Sequence, residues 1–205
     1  MSTRELILKE ALKIFNNHGI ENTGIRELAG ELGIRPGNIT YYFPKKDDIL
    51  VALGQQLSEL NSATIVQLEN PSMHDFMERY RQVFNNHYEY RCLFLSFVSQ
   101  MQQNKTLAEN YNKVEQSRLA DFTKILIKLV SGGYLDKKTT DNDIEQLVSF
   151  LSLVARFWIS ETTVSYKKLS KKQAIVHYLS LIGFVFSKHA TPKGKKEIDN
   201  FLHTL

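Results

Sequence analysis

At 205 residues with 42% hydrophobic content, the chain holds enough apolar material for a packed core and too much for a disordered one. One cysteine, Cys92, excludes an internal disulfide and a multi-cysteine metal cage; with no apolar opening stretch and no unbroken apolar run near the roughly 20 residues that cross a bilayer, a cytoplasmic protein without a membrane partner is expected. The +4 formal charge does not mark a nucleic-acid face by itself, because residues 1–50 carry 7 basic and 7 acidic side chains, 51–164 carry 11 and 13, and 165–205 carry 8 and 2.

Helix signals run the length of the chain. Ser2 and Glu5 form a capping-box pair ahead of Ile7, Leu8, Ala11, Ile14 and Phe15 on one face. Gly19 stands where a left-handed C-cap is expected. A short helix fits Ile25 to Leu32, with Thr23 or Gly24 as its cap and Gly33 as its stop. Pro36 suits the first turn of another short helix ending near Tyr42. After Pro44, the acidic pair Asp47 and Asp48 favours a fourth start, and Ile49, Leu53, Leu57 and Leu60 carry that helix to about Leu68.

Asn70-Pro71-Ser72 breaks the pattern. Helices are predicted near 73–88, 90–103 and 106–130, the last with the stripe Leu107, Tyr111, Val114, Phe122, Ile125 and Leu129 before Gly132-Gly133. Asp141 or Asn142 is expected to cap a helix through Val164, and Ser170 one through Ser187, with a last turn at 197–202. No segment alternates with the period of two that a half-buried strand needs, so the fold class is all-α.

The first fifty residues carry the functional signal. Three short helices separated by glycines make a helix-turn-helix pattern, and Gly33 supplies the positive φ that the tight turn needs. Leu28, Ala29, Leu32, Ile34 and Ile39 are spaced to pack on Ile14 and Phe15. The helix at 36–42 then has little left to bury, which is what a helix lying in a major groove requires.

These stretches, A-L-K-I-F-N-N-H-G-I (11–20), I-R-E-L-A-G-E-L-G-I (25–34) and P-G-N-I-T-Y-Y-F-P-K-K-D-D-I-L (36–50), resemble the TetR-family DNA-binding domain in unbroken register. The matching elements are Ala11, Phe15, Gly19, Ala29, Gly33, Gly37, Phe43 and Lys46. The resemblance implies a helix-turn-helix domain over 1–46 and a larger helical domain over 47–205 for ligand binding and dimerisation. It implies that Arg26 and Asn38 face base edges, that Gly37 allows close approach, and that Tyr41 lies against bases or backbone. Thr23, Thr40, Tyr42 and Lys46 are implied to hold phosphates. Arg35, Thr40 and Lys45 depart from the family pattern, and Arg35 loses a helix cap of roughly 1 kcal/mol that Pro36 partly offsets. The departures bear on which operator is read.

Other constellations carry less. His74 and Glu78 stand four apart but no third metal ligand is near, so no metal is expected. No nucleophile elbow or phosphate-binding glycine loop is present, which leaves a helical enzyme or a pure interaction module without a supporting motif. The aromatic set, with Phe84, Tyr88, Phe97, Met101, Phe122, Phe157 and Trp158, reads either as core or as a cavity for a small apolar inducer. His87, Gln100 and Arg118 are its candidate polar contacts. Residues 143–164 are apolar around most of the cylinder and 171–187 supply a partner stripe, which predicts a homodimer through both helices. The expected function is a repressor released from a palindromic operator by that ligand. The alternative is a regulator without an inducer, constitutive or answering to a protein partner.

Overall fold

The computed structural model describes residues 2–64 and 69–205. The end assigned above to the fourth helix, residues 65–68, lies outside the described residues. Among those described there are helices and no strands. In chain order they are α1 (Thr3–His18), α2 (Ile25–Leu32), α3 (Pro36–Tyr42), α4 (Lys46–Ala63), α5 (Met73–Glu89), α6 (Arg91–Leu95), α7 (Phe97–Gln103), α8 (Lys105–Ser131), α9 (Asp141–Ser165), α10 (Lys171–Ser187) and α11 (Pro192–His203).

The helix starts follow local chemistry. Ser2 and Glu5 close their capping box on α1, Gly24 rather than Thr23 caps α2 with Glu27 bonding back to its N–H, and Ser170 with Gln173 closes α10. Gly33 adopts the left-handed conformation after α2. Gly19 has positive φ but an extended ψ of 151°, so it turns the chain without the left-handed cap expected of it. For α9 the cap is Thr140, boxed with Asp143, not Asp141 or Asn142. Thr140 has the hydroxyl and extended backbone of a cap, while the two acidic residues that follow complement the first turn.

The molecule divides into two compact units, Met1–Leu60 with Glu89–Lys113, and Asn61–Tyr88 with Val114–Leu205. This differs from a boundary at 46/47. In the first unit Tyr90, Cys92, Leu93 and Phe94 join the core that Ile7, Phe15, Leu28, Ile39 and Leu53 build. Asn16 fastens them: its amide donates to the Glu89 carbonyl at 2.7 Å and accepts from the Cys92 N–H at 3.0 Å. The single helix expected over 90–103 is broken at Ser96, whose hydroxyl donates to Glu21 at 2.8 Å. No proline or glycine marks that break, because a partner 75 residues away in sequence takes part in it. Leu60 faces outward, unlike Ile49, Leu53 and Leu57.

The second unit is built on α5, most of α8, α9, α10 and α11. The inward stripe of α8 is Phe122, Leu126 and Leu129, with Leu126 taking the place expected for Ile125. α9 buries Ile144, Leu147, Val148, Leu151, Ala155, Trp158 and Ile159. By length and composition it could also cross a bilayer, despite its interrupted apolar runs, and only 33% of its most apolar window is buried within the chain. α11 is a three-turn helix rather than a single last turn, capped by Thr191 and entered through Pro192.

The start of α11 docks on the loop after α8. Thr191 donates through its N–H to Tyr134 O at 3.0 Å and through its hydroxyl to Gly133 O at 2.7 Å. A Cβ on Gly194 would stand 2.1 Å from the Tyr134 carbonyl oxygen. Gly194→Ala must therefore push main chain against main chain, and a loss of about 2–3 kcal/mol is expected. A denaturant midpoint equal to that of the wild type would contradict this docking.

Candidate nucleic-acid interface

The first three helices present one polar edge. α2 and α3 bury Leu28, Ala29 and Ile39 on the α1 core, with Leu32 and Ile34 packed partly against it. Ile39 is the one buried residue of α3, at 0% exposure, and Arg35, Pro36, Gly37, Asn38 and Thr40 all face outward. Tyr41 is 81% exposed, and its ring meets that of Tyr42 edge-on at 4.9 Å. A seven-residue helix held by a single side chain is a poor core element. It leaves hydrogen-bonding groups and an aromatic ring free to meet a partner surface.

Local chemistry sets this edge. Arg35 has the extended backbone of an N-cap but its side chain makes no capping bond, so Pro36 alone presets the helix start. Thr40 donates its hydroxyl back to Gly37 O at 3.3 Å. A Cβ on Gly37 would meet open space, so glycine there is not required by packing. Arg26 is exposed on α2, the neighbouring element. Thr23 is buried, and its hydroxyl donates to Gly19 O at 2.9 Å. That removes its side chain from the set of phosphate donors and makes it a clamp on the turn after α1. Lys46, at the start of α4, donates from Nζ to Ile20 O at 2.8 Å. That bond holds its charge against the turn that follows α1.

A cleft of about 290 Å³ opens beside this edge, between Lys45, Asp47 and Asp48 at the start of α4 and Lys105 and Thr106 at the start of α8. Sequence reasoning missed it, since nothing local pairs residues sixty apart.

The model of "Bacterial regulatory proteins, tetR family" matches residues 7–53, and that of a "Bacterial transcriptional repressor", TetR, matches residues 54–198. The chain belongs to the tetR family. With it come the helical fold and a place among DNA-binding transcriptional regulators. The HTH-type transcriptional regulator AcrR of Shigella flexneri is 26% identical over 138 residues, which cover 56% of this chain and 62% of AcrR. The uncharacterized HTH-type regulator YezE of Bacillus subtilis (strain 168) is 25% identical over 176 residues, 80% of this chain and 89% of its own. A TetR-family transcriptional regulator from Marinobacter aquaeolei VT8 has the same fold, with a TM-score of 0.86 at 23% identity over 100% of this chain and 98% of that one.

In the second unit part of the expected ligand set comes together. Phe84 packs on Trp158 with ring centroids 4.9 Å apart, Tyr80 lies 5.9 Å from Phe84, and Tyr80 stacks on Phe122 at 5.5 Å. His87 is buried beside them, with Trp158 Nε1 3.5 Å from its Nδ1. Tyr88, Arg118 and Phe157 belong to the same unit and are half-buried. Phe97, Met101 and Gln100 lie on α7 in the first unit, where Phe97 packs edge-on against Tyr111 at 5.0 Å.

The second unit also holds a cluster of charged side chains. Glu115 is buried on α8, accepts from Ser152 and Arg156, and pairs with Arg118 at 3.2 Å. Spacing hints at Glu115 and Arg118 as an i,i+3 pair, but the approach of α9 to α8 is invisible in sequence.

Proposed function

We propose that this tetR-family chain is a homodimeric repressor that reads a near-palindromic operator with α3 and is released by a small molecule held in its second unit. The observation that carries the reading is the outward polar face of α3, with Ile39 as its single anchor. Asn38 and Arg26 are assigned to base edges, Gly37 to close approach, and Tyr41 to bases or backbone. Arg35, Thr40, Tyr42 and Lys46 are assigned to the phosphates that fix register, with Pro36 presetting the helix that presents them. Regulation rather than catalysis follows from the family, and a DNA-binding regulator of this kind works in the bacterial cytoplasm.

The dimer is assigned to α9 and α10. Leu153 and Val164 on α9, and Leu181 and Phe184 on α10, are large apolar side chains left outward on a single chain. An isologous four-helix contact would cover them and would account for the apolar surplus of α9.

Release is assigned to α4, which begins with Lys46 and whose Asn61 belongs to the second unit. Asn61 is tied to α5 by Nδ2, 3.1 Å from His87 Nε2, and by Oδ1, which accepts from Asn86 at 3.0 Å. A ligand that moves His87 therefore pulls on the helix that carries Lys46. Tenfold loss of operator affinity needs about 1.4 kcal/mol of such coupling.

Selection of bound duplexes from a random pool tests the DNA assignment. Half-sites of the recovered motif are expected about one helical turn apart, roughly 34 Å, or at a larger same-face spacing. Asn38→Ala is expected to relax one or two base positions at a cost of about 1–3 kcal/mol. Lys46→Ala should weaken all sequences alike and flatten the salt slope by about one unit. Unchanged binding and preference in both variants would remove α3 and α4 from the interface. If a compound library left operator affinity constant throughout, a constitutive or protein-partnered regulator would replace the ligand-released one.

A further inference from the structure

In the second unit the Tyr80 hydroxyl and Arg79 Nε are buried without hydrogen-bond partners. Glu115 uses one carboxylate oxygen for Ser152 and for Arg156, the latter at 2.9 Å, and its other oxygen stands 3.2 Å from the Arg118 guanidinium. Tyr80, on α5, is 1% exposed and its hydroxyl has no hydrogen-bond partner. The neighbouring Arg79 holds its guanidinium 5.2 Å over the Phe122 ring, on which Tyr80 stacks, and its Nε is likewise buried and unpartnered. Arg79, Arg118 and Arg156 thus bring three positive charges to this region. Glu115 pairs with Arg118 and Arg156, and Asp121, which acts on Arg79, is shared with Lys124 at 3.6 Å.

Leaving a buried donor unmade is costly, and native cores rarely keep one without a use. A phenol and a guanidinium offer donors and no charged acceptor. Burial also drives the Tyr80 hydroxyl well above the usual phenol range, so it stays protonated and remains a donor. The group that such a set accepts is an acceptor-only anion, and a planar carboxylate suits the guanidinium fork. Next to it stand the rings of Phe84, Phe122 and Trp158.

We propose that Tyr80 and Arg79 receive the acid group of an amphipathic organic carboxylate whose apolar body lies against Phe84, Phe122 and Trp158. The assignment rests on the ligand-released reading above and sharpens it: the inducer is an organic acid, not a neutral apolar molecule. Glu115 is a positioning residue, holding Arg118 and Arg156 by ion pairs.

The test uses a panel of aromatic and aliphatic carboxylates, each with its matching primary amide, phosphonate and amine, at concentrations up to about 1 mM. Binding is read from the fluorescence of Trp158, the chain's one tryptophan, and release from the selected operator duplex. Carboxylates are expected to bind at least about tenfold tighter than their amides, and amines not at all. Tyr80→Phe is expected to raise the melting temperature, since it removes an unpartnered buried hydroxyl, and to weaken the best carboxylate about tenfold while leaving its amide within twofold. Arg79→Gln serves as the second variant, with the same tenfold loss confined to acids. The proposal is overturned if amides or amines bind as well as acids, if phosphonates bind and carboxylates do not, if no acid binds below 1 mM, or if Tyr80→Phe leaves acid binding unchanged. Acid binding that leaves operator affinity constant would support the anion site and overturn ligand release instead.

Discussion

Phe184→Glu is expected to convert the dimer to monomer and to remove tight operator binding while leaving the fold intact. Phe184 is 63% exposed on a single chain and Leu153 is 56% exposed, so neither contributes much to the core of its own subunit. Burying a side chain of this size is worth about 1.5–3 kcal/mol. In a two-fold interface every residue occurs twice, so the loss doubles, and each buried glutamate adds an unpaired charge. A dimer dissociation constant raised at least about a hundredfold is the expected result. Operator affinity should fall by a further factor on the order of 10²–10⁴, because half-sites then bind singly rather than as a linked pair. Sedimentation velocity at micromolar concentration, with circular dichroism as the check on folding, measures this. A Phe184→Glu protein that sediments as the wild type does would move the interface off α9 and α10.

The second large effect is acid sensitivity through His87. Its surroundings fix the ring as neutral: Asn61 Oδ1 is occupied by Asn86, so the Asn61 amide presents its N–H to Nε2, which must accept. A backbone hydrogen bond to Ala155 uses the ring, but burial, helped by the Arg118 charge, pushes His87 down to about 3. An unfolded histidine titrates near 6.5. The folded state therefore refuses a proton that the unfolded state takes up, and the stabilisation is complete above about pH 6.5 and declines as pH falls towards 3. By pH 5 the loss is about 2 kcal/mol. Denaturant unfolding of the wild type and His87→Gln from pH 7.5 to 5 isolates this contribution from the other five histidines. The variant is expected to start less stable and to show a curve flatter by about 2 kcal/mol. Parallel curves would mean that His87 is not the buried neutral group described. Because protonation would set Nε2–H against the Asn61 amide, the same acid step should loosen α4 from α5.

What could be read from the sequence was local or periodic. Ser2 with Glu5, Gly33 and Pro36 announced helix ends because capping and positive φ depend on residues within a few positions of each other. The stripe Ile7 to Phe15 and the lone Ile39 announced which faces turn inward, since a 3.6-residue period needs no knowledge of the partner. From these alone the all-α class, the helix-turn-helix edge and its exposed residues were legible. The tertiary structure decided whatever depended on residues distant in sequence. It put Thr23 inside rather than on the phosphates, broke a helix at Ser96 for a bond to Glu21, and drew Tyr90 to Phe94 into the head through Asn16. It also brought Glu115, from the middle of an amphipathic helix, against Arg156 on another, and left Tyr80 with a hydroxyl that nothing satisfies. Side-chain hydrogen bonds and ion pairs of this kind have no period, and their partners are chosen by how helices cross, which a single sequence does not encode in any local pattern.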